Sequence, residues 1–109
     1  MSDVIMVYVT AKDPAEAKTL AAGLLEQQLI ACANVFPPHQ AIYRWDGQVC
    51  EETEVAMILK TPRRLFTSVE SYLKEHHSYS CPCIVSWGIE TGHPPFLEWI
   101  QNQVQKDRE

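Results

Sequence analysis

Four side chains able to bind a soft metal lie within eight residues, His76, His77, Cys81 and Cys83, in the stretch "HHSYSCPC". Thiolates suit Cu(I) or Zn(II), and imidazole suits most divalent transition metals. The spacing limits how they act together. Neighbouring histidines on a helix point about 100° apart and do not converge on one ion, so each needs ligands from elsewhere. A Cys-x-Cys is a weaker signal than the paired Cys-x-x-Cys of structural zinc sites. Cysteines two apart on a strand also stand too far apart for a disulfide. His76 falls on the apolar stripe of a predicted helix and reads as a packed residue near its C-terminus, where free carbonyls and the helix dipole favour an imidazole. His77 then turns toward solvent or a cleft. Cys81 and Cys83 read as small buried hydrophobes, and Cys32 and Cys50 as core or interface residues.

Other chemistry is missing from the pattern. The sequence has no P-loop, no nucleophile elbow and no HExxH. The segment after the first predicted strand, "TAKDPAEA", has neither glycine nor arginine to cradle a phosphate, and no Cys-x-x-Cys. No catalytic constellation emerges, and the expectation is a protein that is not an enzyme. The formal net charge is −5, and Arg63-Arg64 is the one basic pair, so nucleic acid is not an expected partner.

The elements that must position these residues are legible from periodicity. The 109 residues suffice for one domain over 1–109, and a hydrophobic content of 46% fits an ordinary globular chain. Residues 4–9 form the longest apolar run, far below the roughly 20 needed for a membrane span. No basic segment precedes an apolar leader, and the expected location is the cytoplasm.

Residues 4–9 predict a strand buried on both faces. Asp13, Pro14 and Glu16 predict a capped helix start, and Ala17, Leu20, Ala21, Leu24 and Leu25 form its stripe to about Gln28. "LIACANVF" predicts a second strand, interrupted by Pro37-Pro38. In "AIYRWDGQVCEE" the Asp-Gly predicts a two-residue hairpin turn, with Trp45 facing Gln48, Arg44 facing Val49 and Tyr43 facing Cys50. The following arm runs for about a dozen residues and leaves sheet edge to be covered. Thr61-Pro62 predicts the start of a second helix, with Leu65, Phe66, Val69, Tyr72, Leu73 and His76 inward. "CIVSW" predicts a fourth strand, Phe96, Leu97, Ile100 and Val104 a last helix, and "QKDRE" a solvated tail. The order β-α-β-β-α-β plus a helix predicts an α+β, ferredoxin-like split βαβ sandwich with both helices on one face.

In order and spacing, "VTA", "LIACANVFP", "IYRWDGQV", "EETEVAMILKT", "HHSY" and "FLEW" resemble the CutA divalent-cation tolerance proteins. The resemblance covers nearly the whole chain. It implies a ferredoxin-like fold with a long hairpin between the second and third strands, an extra C-terminal helix, and a homotrimer similar to the nitrogen-regulatory PII proteins. Tyr43 and Trp45, on one face of the hairpin, are then expected at the trimer interface. The resemblance further implies divalent-cation tolerance with copper or another divalent metal as the ion, and His76, His77 and Cys83 as candidate ligands. The chain departs from the family's pattern at three places. Val9 stands where some members carry a cysteine linked to copper, Ser78 replaces a proline, and Cys83 replaces an acidic residue. The alternative is a metal-independent PII-like scaffold or small-anion sensor that anchors a partner protein, with Asn34, Lys60 and Tyr79 holding the anion in a cleft.

Overall fold

The computed structural model describes residues 3–106. The chain runs through β1 (Val4–Ala11), α1 (Pro14–Glu26), β2 (Cys32–Val35), β3 (His39–Trp45), β4 (Gln48–Pro62), a 3₁₀ turn (Arg63–Leu65), α2 (Phe66–His76), β5 (Ile84–Gly88) and α3 (Pro94–Gln103). This is the expected ferredoxin-like order with its extra C-terminal helix. The expected second strand is split by Pro37-Pro38 into β2 and β3, and both pair with β4. Cys32 faces Lys60 and His39 faces Glu54, so seven steps on one side match six on the other. The double proline thus carries one extra residue, as a bulge does.

The sheet order is β2-β4-β1-β5, with every pairing antiparallel. The hairpin turn forms in the predicted register, Trp45 to Gln48, Arg44 to Val49 and Tyr43 to Cys50. Asp46 and Gly47 take φ values of 52° and 75°, as a type I′ turn requires. β4 reaches 15 residues. Its pairing with β1 stops at Val55, so β3 and the first half of β4 project as a two-stranded ribbon.

One face of the sheet carries Ile5, Val7 and Val9 of β1 and Val55, Met57 and Leu59 of β4. These pack with Leu20 and Leu24 of α1, Val69 and Leu73 of α2, and Ile100 of α3 in one buried cluster. Each such aliphatic side chain contributes about 1.5–3 kcal/mol through burial. The opposite face follows the alternate register, Tyr8 between Ile58 and Val85, and Met6 beside Trp87. On it Val85 and Trp87 remain 52% and 46% exposed.

At the start of α1, Asp13 accepts the Glu16 N–H at 2.8 Å as predicted. Glu16 reaches back to the Lys12 N–H at 3.0 Å, one residue earlier than a capping box expects. The helix ends at Glu26, and Gln28 turns left-handed at φ 57° while Leu29 N–H closes onto the Leu24 carbonyl.

Two expectations are corrected. Thr61-Pro62 does not open α2. Both residues stay on β4 opposite β1, and the buried Thr61 hydroxyl donates to the Leu29 carbonyl at 2.6 Å. Ladder pairing and that buried bond outweigh the capping tendency, and α2 begins at Phe66 without a side-chain cap. Nor is Gln105 part of a free tail. Its amide N–H groups bond the Gln28 and Gln27 carbonyls, and its own carbonyl accepts from Arg64. Lys106 is exposed, and the last three residues of the predicted tail, 107–109, lie outside the described residues. No helix among the described residues is long and apolar enough to cross a membrane.

Candidate functional site

The loop after α2 is held by His77. Its ring bonds the Thr10 carbonyl through Nε2 at 2.8 Å and the Tyr79 N–H through Nδ1 at 3.0 Å. An amide N–H only donates and a carbonyl only accepts, so the geometry requires the neutral tautomer with its proton on Nε2. The ring also lies 4.9 Å from that of Tyr79. Glu16 adds a second tie by accepting the Ser78 N–H at 2.9 Å. Burial pushes the Glu16 carboxyl up, but the N–H groups of Lys12 and Ser78 outweigh it and hold the group below its ordinary value.

These contacts invert the expected roles of the two histidines. His76 is exposed, stacks on Tyr72 at 4.0 Å and donates from Nδ1 to the Tyr72 carbonyl. His77 is the half-buried one. The helix stops at His76 and the backbone turns extended at His77, with ψ at 145°. The 100° rotation assumed for a continuing helix therefore does not apply.

The loop faces the ribbon across a cavity of about 520 Å³. Tyr43 and Trp45 come from β3, Cys50, Glu52 and Glu54 from β4, and Tyr79, Cys81 and Cys83 from the loop. The register explains the ribbon wall. Alternate residues share a face, and Ala41, Tyr43 and Trp45 stand opposite Glu52, Cys50 and Gln48. The Tyr79 hydroxyl donates to Glu54 at 3.0 Å, and the Tyr43 hydroxyl donates to Glu52. Burial and then the Glu54 carboxylate raise Tyr79 far above the usual tyrosine range. The hydrogen bond to Glu52 raises Tyr43, with burial and the carboxylates adding to it. Burial and Glu54 also raise Cys83, which keeps it a thiol rather than a reactive thiolate.

Of the predicted residues, the structure gathers Tyr43, Trp45, Tyr79 and Cys83 on this cavity. It does not gather His76, His77 and Cys83 into a ligand set. Both ring nitrogens of His77 are occupied, and among the described residues no group of three or more His, Cys, Asp or Glu is arranged to hold a metal ion. Cys81 and Cys83 are exposed rather than buried, and Cys32 and Cys50 are intermediate, all as free thiols. The predicted trio of Asn34, Lys60 and Tyr79 is also divided. Lys60 donates to Asn34 at 2.6 Å and lies 5.8 Å from the Phe96 ring. Tyr79 binds Glu54, six residues down β4 from Lys60, or roughly 20 Å along an extended strand.

Glu52, Glu54 and the cavity-facing role of Cys50 were not singled out from sequence. The signal was available, because the hairpin register extended by four pairs, to His39 opposite Glu54, sets both carboxylates on the Cys50 and Tyr43 face.

A family model described as "CutA1 divalent ion tolerance protein" matches residues 5–103. The divalent-cation tolerance protein CutA of Archaeoglobus fulgidus is 41% identical over 99 residues, covering 91% of this chain and 96% of that protein. The CutA homolog of Xenopus laevis is 39% identical over 93 residues, which span 85% of this chain and 62% of the longer relative. A solved structure of the Archaeoglobus protein superposes with a TM-score of 0.91 at 40% identity, covering 94% of this chain and 99% of that one. That protein is described as periplasmic. The expected cytoplasmic location is corrected accordingly, because a relative this similar carries that description.

Proposed function

This chain belongs to the CutA1 divalent ion tolerance protein family, and from that premise we propose that it acts as a metal-independent scaffold rather than as an enzyme. In this reading it assembles as a PII-like homotrimer through the ribbon and the open sheet face, and the trimer anchors a partner protein. The observation that carries the reading is the open sheet face. Val85 and Trp87 lie exposed on it, and by strand alternation it continues into the ribbon face that carries Tyr43 and Trp45, the latter 62% exposed, while Ile42 and Val49 stand exposed on the ribbon's other face. Contiguous exposed apolar surface of this kind marks interaction sites. In this reading Tyr43 and Trp45, which share one face of the ribbon, lie at the trimer interface.

Sedimentation equilibrium at micromolar concentration tests the assembly. A homotrimer is expected, and a stable monomer would refute the reading. The cleft at Asn34, Lys60 and Tyr79 is not retained for a small anion, because Tyr79 is separated from the other two and faces carboxylates.

A second reading is copper or divalent-metal binding through His76, His77 and Cys83. Its support is the family's description and the exposure of Cys81 and Cys83. It requires His77 to leave the Thr10 carbonyl. Titrating the native protein and the His77→Ala and Cys83→Ser variants with Cu(II) and Zn(II) separates the two readings. Equal, weak binding by all three favours the scaffold, and loss of a tight site in either variant favours metal binding.

A further inference from the structure

We propose that the corner of the open sheet face formed by Lys60, Phe96 and Trp99 docks the ribbon of a second copy of this chain, with that ribbon's Glu52 paired to Lys60. The proposal rests on the trimer reading above and gives its interface a charge pair and a direction. Strand register sets Cys32, Lys60, Met6 and Trp87 in one row across the open face. Among the described residues of that face, short of the ribbon, Lys60 is the one that carries a charge. It is half-buried, donates to the neutral amide oxygen of Asn34 at 2.6 Å, and holds its Nζ 5.8 Å from the centre of the Phe96 ring. An ammonium has three N–H donors, so donors remain for a carboxylate, which accepts more strongly than an amide. Phe96 stacks on Trp99 with ring centres 5.8 Å apart, and the two side chains are 40% and 42% exposed. The corner therefore joins a cation to exposed aromatic surface.

The ribbon presents the complement. Tyr43 and Trp45 share its face with Glu52 and Glu54. Glu54 is half-buried and bonded to the Tyr79 hydroxyl, whereas Glu52 is exposed and accepts the Tyr43 hydroxyl. A carboxylate offers about four lone-pair positions, so Glu52 keeps acceptors for an ammonium N–H. Within one chain Glu52 and Lys60 cannot meet. Both lie on β4, and their separation in sequence spans roughly 26 Å of extended strand. Aromatic surface with an acid on the ribbon matches aromatic surface with a cation at the corner only between copies. A face with unlike ends suits head-to-tail contact, and three such contacts close a ring in which every copy gives one ribbon and one corner.

The test is charge reversal, read by sedimentation equilibrium of the full chain at micromolar concentration. The native protein is expected to be a trimer. Lys60→Glu and Glu52→Lys should each give monomers, and the double variant should recover the trimer, because it restores the pair with its signs exchanged. Circular dichroism reports whether each variant folds. Lys60→Met and Glu52→Gln replace any reversal that does not, and each should raise the concentration of half-dissociation about tenfold. The pairing is overturned, with the trimer reading left standing, if the folded single variants stay trimeric, if the folded double variant stays monomeric, or if the neutral variants dissociate as the native protein does. A native monomer or dimer refutes the trimer reading and the pairing with it.

Discussion

At the scale of single residues, His77 has the largest structural role in the "HHSYSCPC" stretch. It joins the end of β1 to the cavity loop through both ring nitrogens. His77→Ala removes two hydrogen bonds and strands the Thr10 carbonyl and the Tyr79 N–H. A loss of about 2 kcal/mol in urea denaturation is expected. His76→Ala, on an exposed ring, should change stability by less than about 1 kcal/mol. The reverse ranking would refute the roles assigned here. Tyr79 gives a pH prediction. Its folded pKa lies above its ordinary value of about 10. The unfolded chain therefore ionises first, and the stabilisation, complete below about pH 10, is lost as pH rises through the folded value. Urea midpoints measured from about pH 8 to about pH 11 should fall steeply at the top of that range, and Tyr79→Phe should flatten the fall. The two histidines were visible in the sequence, but their roles were not. Which one turns inward depends on where the helix stops, and the helix stops where Glu16 and Thr10 capture the following residues.

At the scale of elements, legibility follows the strength of the local signal. The Asp46-Gly47 turn set the hairpin register correctly because only left-handed backbone at both positions matches the twist of the strands. The start of α2 was misplaced because Thr61-Pro62 carries a helix signal that pairing with β1 and a buried hydroxyl override. Gly23 shows a packing constraint that propensity hides. It sits inside α1, where glycine costs about 1 kcal/mol relative to alanine. A Cβ there would overlap the Tyr72 hydroxyl of α2. Gly23→Ala is thus expected to destabilise by about 1–2 kcal/mol, the strain of displacing Tyr72 exceeding the helix gain. In a Tyr72→Ala background the same change should become neutral or stabilise by about 1 kcal/mol. Thermal or urea unfolding of the four proteins forms the double-mutant cycle, and additive effects would refute the contact.

At the scale of the whole molecule, the open sheet face and the projecting ribbon dominate. Trp87 is already 46% exposed, so Trp87→Glu should leave secondary structure intact by circular dichroism. In the proposed trimer it buries a charge at the interface, and sedimentation should then report monomers. A Trp87→Glu protein that remains a trimer would place the interface elsewhere. The sequence by itself determined the order of the elements, the hairpin register and the family, because each is written in local periodicity, turn chemistry or ordered motifs. Only the tertiary structure decided which residues meet. The Pro37-Pro38 bulge, the length of β4 and the end of α2 together bring Glu52 and Glu54 to Tyr79, while separating Tyr79 from Lys60. Residue contacts of this kind depend on how elements far apart in the chain pack together, and no local pattern encodes that distance.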